Sequence, residues 1–174
     1  MRLYFINLGV SLAGAIALSA ATAGAAEGVG EALAVIDQAS AEGTVGLRTL
    51  AAGTKVFLGD RVKTDSIGEA QLLFDDGTRM VVGPNSDMVL DEFVFRAGVT
   101  ENQFVVRAFN GAFRFITGNA EKDAYLIQTP SATIGVRGTV FDFAVTPGET
   151  NLILLEGGAN VCGNDFGCTW AEVE

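Results

Sequence analysis

The chain has 174 residues and a formal net charge of −10, with 49% hydrophobic residues against 18% charged. This is one domain's length with enough apolar mass for a core, which excludes an intrinsically disordered chain. The acidic balance excludes the electrostatic footprint of a nucleic-acid binder or of a protein adhering to anionic lipid. Histidine is absent, which removes the usual general base, the Ser-His and Cys-His pairings and the commonest zinc ligand.

Residues 1–26 have the pattern of a secretory signal. Arg2 supplies the positive start, an uncharged small-residue run follows from Leu8 to Ala21, and Ala21-Thr22-Ala23 and Ala23-Gly24-Ala25 are A-x-A cleavage sites. Cleavage is expected after Ala25 or Ala26, leaving residues 27–174 as the mature domain. Loss of Arg2 takes the charge from −10 to −11. An uncleaved anchor is the alternative and the sole route to a membrane, but Ser11, Ser19 and Thr22 interrupt the apolar run and make it a weak span.

The rest reads as strands. Leu33 and Val35 alternate in 31–39, favouring a strand over a short helix. Ala70–Phe74 and Thr78–Val82 flank Asp75-Asp76-Gly77, a hairpin signal because both turn positions tolerate positive φ. Gly83-Pro84-Asn85-Ser86 predicts a further turn before a strand over Met88–Phe95. Asn110-Gly111, between Phe104–Phe109 and Ala112–Ile116, carries the same hairpin signal. Gly118–Asp123 reads as a polar loop, and Tyr125–Thr129 as a strand. In Thr139–Thr146, Phe141, Phe143 and Val145 share one face and Asp142 takes the other. Pro147-Gly148 ends that strand. Leu152–Leu155 is a continuous apolar run, expected to be buried on both faces and ended by Gly157-Gly158.

About ten short strands at this spacing predict an all-β single domain. Sandwich, barrel and β-roll or β-helix all satisfy the pattern, and no exact internal repeat marks a regular solenoid. Cys162 and Cys168 are separated by a short loop with glycine at both ends. In an exported chain with no cysteine left over they predict a disulfide, contributing about 2 kcal/mol by chain entropy.

Several short elements between 56 and 145 occur together. They are Gly59-Asp60 with Val62 and Thr64, Asp76-Gly77-Thr78, Gly83-Pro84-Asn85-Ser86, Thr129-Pro130, and Val136-Arg137-Gly138-Thr139. Their order resembles the FecR domain, the extracytoplasmic module of iron-citrate-type signalling regulators and of stand-alone envelope proteins. The resemblance implies a β-roll or helix-like stack of strands, with a β-sandwich as the alternative, and a periplasmic or otherwise exported location. The glycines mark turns, and the Thr and Asp side chains are suited to bond nearby backbone. Arg137 is expected to be a buried or half-buried cation that satisfies loop carbonyls or pairs with Asp142 or another acid; contact with a partner is its other use.

Candidate chemistry is sparse. Asp75-Asp76-Gly77 matches no EF-hand spacing, and turn chemistry explains it. Asp91-Glu92 puts neighbouring carboxylates on opposite faces of a strand, where they cannot share one glycosidic bond. No phosphate loop, dinucleotide fingerprint, nucleophile elbow or zinc motif occurs. The sequence therefore predicts a non-enzymatic exported binding module, sensory or regulatory, without cofactor or metal. Its partner is expected to be another envelope protein, or an envelope polymer. A self-assembling envelope or matrix component is the alternative, and a carboxylate-dependent hydrolase the remote one.

Overall fold

The structure, a computed structural model, describes residues 28–91, 104–119, 125–165 and 167–173. The predicted signal lies outside these residues, as do Glu92 and most of the loop after Gly118. Thirteen strands and no helix are present among them, so the all-β expectation holds.

The first strands are β1 (Gly28–Ile36), β2 (Ala39–Gly43), β3 (Gly46–Thr49), β4 (Lys55–Phe57) and β5 (Arg61–Thr64). β6 (Glu69–Phe74), β7 (Arg79–Val82) and β8 (Asp87–Leu90) follow. The remainder are β9 (Phe104–Ile116), β10 (Tyr125–Gln128), β11 (Ala132–Thr146), β12 (Glu149–Gly163) and β13 (Gly167–Val173). The Asp75-Asp76-Gly77 hairpin forms as expected, with Leu73 opposite Arg79.

All thirteen strands belong to one hydrogen-bonded sheet that folds over on itself. The first layer runs β4, β1, β6, β7, then the C-terminal half of β9, that of β11 and the N-terminal half of β12. The second runs β3, β2, β5, β8, the N-terminal half of β9, β10, then the N-terminal half of β11, the C-terminal half of β12 and β13. Side chains from both layers meet in a single core cluster. Strands that switch layers by bending are how such corners are built.

Two creases carry the fold-over. At the first, β1 passes to β2, β5 to β6 and β7 to β8, while β9 bends at Gly111. Asn110-Gly111 is therefore not a hairpin. Phe104–Ile116 is one strand, with φ of +118° at Gly111 and a register shift against β8. A hairpin and a bend use the same positive-φ chemistry, and the partners on both flanks decide between them. A Cβ on Gly111 would lie 2.1 Å from Ser86 Oγ, so glycine is required for space as well.

At the second crease β11 bends at Gly138 and β12 at Gly157, with φ of +59° and +76°. A Cβ on Gly157 would sit 2.1 Å from the Gly138 carbonyl oxygen. Gly157-Gly158 therefore does not end a strand: β12 runs on through it to Gly163.

Alternation holds in β11. Phe141, Phe143 and Val145 are buried, and Asp142 faces out. Phe143 stacks on Phe113 with centroids 4.9 Å apart, and Phe141 meets Phe115 at 5.5 Å. Both are directly opposed pairs between β9 and β11, the geometry in which aromatic rings reinforce strand pairing. The opposite holds for Leu152–Leu155. Leu152 and Leu154 pack on the core, but Ile153 and Leu155 are exposed. The first layer is covered on one face only, so a continuous apolar run does not require two buried faces.

Phe143→Ala should lower unfolding stability by about 3–5 kcal/mol, whereas Ile153→Ala should change it by less than about 0.5 kcal/mol. Denaturant melts of the two variants check the face assignment. Equal losses would overturn it.

Candidate functional site

The signature residues lie along the creases and the turns beside them, and their polar groups bond the chain itself. At the first crease the Thr64 hydroxyl donates to the Gly83 carbonyl at 2.6 Å and accepts from the Ser86 N–H at 2.9 Å. Ser86 Oγ in turn accepts the Ala112 N–H. Asn85 adopts φ of +51°, its N–H reaches the Asp65 carbonyl at 2.7 Å, and its own carbonyl accepts from Asn110 Nδ2. Asn is among the few side chains that tolerate this conformation.

At the second crease Thr139 Oγ1 accepts the Arg137 N–H at 3.1 Å and donates to the Gly158 carbonyl at 2.7 Å. The Thr139 N–H donates to Thr117 Oγ1 at 2.8 Å. The Asp76-Gly77-Thr78 turn closes the same rim. Asp76 Oδ1 accepts the Thr78 N–H at 2.8 Å. The Tyr125 hydroxyl donates to Asp76 Oδ2 at 2.6 Å and lies 2.8 Å from Thr78 Oγ1, which accepts the Gly118 N–H.

Asp60 is fully buried in the turn between β4 and β5. Its Oδ2 accepts the Phe57 N–H at 2.8 Å and the Arg48 guanidinium, and its carbonyl accepts the Leu90 N–H. Gly59 donates to the Leu90 carbonyl. Thr129 Oγ1 accepts the Ala132 N–H, and the Pro130 carbonyl accepts Asn164 Nδ2, tying the β10–β11 turn to the tip of the β12–β13 hairpin.

Arg137 departs from expectation. It is exposed, because β11 bulges there and turns the side chain out of the crease. Asp142 pairs instead with Arg114, which sits directly opposite in β9. Nε and Nη2 of Arg114 reach the two carboxylate oxygens at 2.6 and 2.7 Å. Hydrogen bonds from Arg114 hold the Asp142 carboxyl below its ordinary value, against a smaller opposing effect of burial. The acid Asp91 pairs with Arg107 and belongs to no acid pair within the described residues.

Two surface features stand out among the described residues. The outer face of the first layer has a continuous row of Gln71, Val81, Arg114, Asp142 and Ile153 across five strands. Gly83, Ala112 and Ala144 beside it leave a shallow depression of about 470 Å³. The second feature is β13, beyond the last signature element. Cys162 and Cys168 are directly opposed there and joined by the expected disulfide. Trp170 is 50% exposed, and its ring occupies the space where a Gly158 side chain would stand, 2.3 Å from that Cβ. The lone tryptophan of the chain, close after the cysteines, was the available sequence signal for this feature. Among the described residues no three His, Cys, Asp or Glu side chains are grouped to hold a metal.

The pattern of the FecR protein family matches residues 60–160, more than half of the chain. The chain belongs to the FecR family. Two crystal structures from Parabacteroides distasonis, each provisionally described as that of an anti-sigma factor, are similar to this chain. They have TM-scores of 0.50 and 0.49 at 15% and 14% identity, each covering 64% of this chain. The chain spans about half the length of those structures, 50% in both cases. At such identity the first likeness shows the fold. No curated protein matches the chain.

Tyr125→Phe should destabilise the protein by about 1–2 kcal/mol, since it removes one charge-assisted hydrogen bond while Thr78 still serves Asp76. A denaturant melt checks it. A second expectation concerns acid. The folded-state pKa of Asp142 is depressed, so its contribution is present above the ordinary Asp value and disappears as pH falls through the folded value. Asp142→Asn should therefore melt below wild type at pH 7 and together with it once Asp142 is protonated in the folded as well as the unfolded wild type. A double-mutant cycle should show coupling of Asp142 to Arg114 and none to Arg137.

Proposed function

We propose that this FecR-family chain is an exported, non-enzymatic interaction module of the cell envelope, regulatory or sensory in role, whose partner is another envelope protein. One observation carries this reading: apart from the exposed Arg137, the polar side chains of the family signature bond the chain itself at the creases and turns, while among the described residues the outer sheet faces and the β13 edge are left uncovered. Such a division suits a scaffold that presents surfaces, since a reaction needs acids and bases held free in a cleft. The family match and the anti-sigma-factor description of the structural neighbours support a regulatory role. Export is supported by Arg2, the uncharged run after it and the A-x-A sites. The disulfide fits an oxidising compartment.

The exposed apolar side chains Ile153 and Leu155 on the first layer favour a second reading, self-assembly into an envelope or matrix component. Sedimentation over a hundredfold concentration range separates the two, because assembly grows with concentration.

Mass spectrometry of the envelope fraction should find an N-terminus between Gly24 and Glu27. An intact Met1 chain recovered from the cytosol would overturn export. A photo-crosslinking residue at an exposed position of either outer face should give discrete adducts in intact cells. Their absence at every such position would remove the binding reading.

A further inference from the structure

The edge formed by β13 deepens this picture. We infer that β13 is a docking strand, which takes up an extended, basic segment of another protein as one more strand of the second layer. The inference rests on the binding-module reading and names its surface and the chemistry of its partner.

Among the described residues β13 pairs on one side only, with β12, in unbroken register from Gly157 opposite Val173 to Gly163 opposite Gly167. The Cα atoms of Cys162 and Cys168 are 3.9 Å apart. So close an approach marks a pair that does not exchange backbone hydrogen bonds. Alternation along the strand then aims the N–H and C=O groups of Cys168, Trp170 and Glu172 away from β12. These form a row of unmet donors and acceptors at one spacing, the template that strand addition uses.

Sheet edges of this kind are commonly blunted by proline, lysine, a bulge or short length. β13 has seven residues and none of those devices. Elsewhere among the described residues the sheet ends in β4, three residues long, in β3, four residues long with Arg48 within it, and in the 149–156 half of β12, which β13 does not reach and which no disulfide staples. The disulfide staples β13 to β12, so the edge is held in place without a partner. β13 also lies outside the family match at 60–160, so the shared signature does not account for it.

The side chains provide a seat on each face. On the outer face the Trp170 ring lies over Gly158, its Nε1–H donating to Glu172 at 3.2 Å, with half its surface open. On the other face Ala171 and the exposed Val173 continue the apolar side of the sheet beside Val161. An incoming strand would place alternate side chains against these two seats. Among the described residues the charge is acidic on balance: Glu156, Asp165 and Glu172 are exposed around the edge, against the cation Arg137. A second copy would bring another β13 with Glu172 and no lysine or arginine. A basic segment complements the edge, and a second copy does not.

The test uses the oxidised protein purified from cells expressing the full chain. The probe is a blocked heptapeptide alternating Val and Lys. Controls are the same peptide with Glu for Lys, and the Val/Lys peptide N-methylated at alternate amides. Amide hydrogen exchange at Cys168, Trp170 and Glu172 should slow at least tenfold with the Val/Lys peptide and not with either control. Glu172→Lys should weaken that peptide at least tenfold. Glu172→Pro, which removes an N–H aimed at the open edge, should weaken it likewise while the melt of the domain is unchanged. No protection with any peptide, or equal protection by the N-methylated one, overturns the docking strand. Equal protection by the Glu peptide overturns the basic partner. Protection that rises with protein concentration and no peptide overturns it in favour of a second copy. Crosslinkers at Val173 and across the outer faces in cells separate the levels: adducts at Ile153 or another outer-face position with none at Val173 leave the binding module standing and remove the edge, and adducts at no position remove both.

Discussion

A sheet that folds over its own core must bend its long strands without stranding backbone N–H and C=O groups inside the bend. Everything else in this molecule depends on that requirement. β9 bends at Gly111, β11 at Gly138 and β12 at Gly157, and each has the positive φ that the bend demands. Small hydroxyl side chains then bridge the gaps in the ladder. Thr64 joins Gly83 to Ser86, Thr139 joins Arg137 to Gly158, and Thr117 receives the Thr139 amide. A hydroxyl both donates and accepts, so one residue can close two openings in a bend.

Once the creases are fixed, the core follows. The two layers deliver aromatic and aliphatic side chains to one cluster, and the directly opposed Phe113–Phe143 and Phe115–Phe141 pairs align β9 with β11. The cross-layer tie of Tyr125 to Asp76 and Thr78 holds the rim of the second layer to a turn of the first. Apolar packing, aliphatic and aromatic together, supplies the bulk of the stabilisation. The polar tie at the rim fixes orientation, since its net energy is small relative to the apolar area buried.

The same economy shapes what is left for partners. Apart from Arg137, the polar side chains that make the family recognisable bond the chain itself, so the remaining outer surfaces are ones the signature does not constrain. The outer row through Arg114 and Asp142 and the strand carrying Trp170 are such surfaces. Their side chains can change without disturbing a crease.

The sequence by itself determined the fold class, the face of the Phe141–Val145 strand, the hairpin at Asp75-Asp76-Gly77 and the cysteine pairing. Each is a local property, set by side-chain alternation, by the turn chemistry of Asp-Gly, or by two cysteines a short loop apart. The tertiary structure alone decided that Asn110-Gly111 bends one strand where Asp76-Gly77 reverses the chain, since both dipeptides allow positive φ and only the neighbouring strands β7, β8, β10 and β11 distinguish them. It decided that Asp142 meets Arg114 and not Arg137, because ion pairing in a sheet follows register between strands far apart in sequence. It also decided that Ile153 and Leu155 face outward, because hydrophobicity along a strand does not say how many layers cover it. The one-sided pairing of β13 among the described residues belongs here too: whether a strand has one neighbour or two is a fact about the whole sheet.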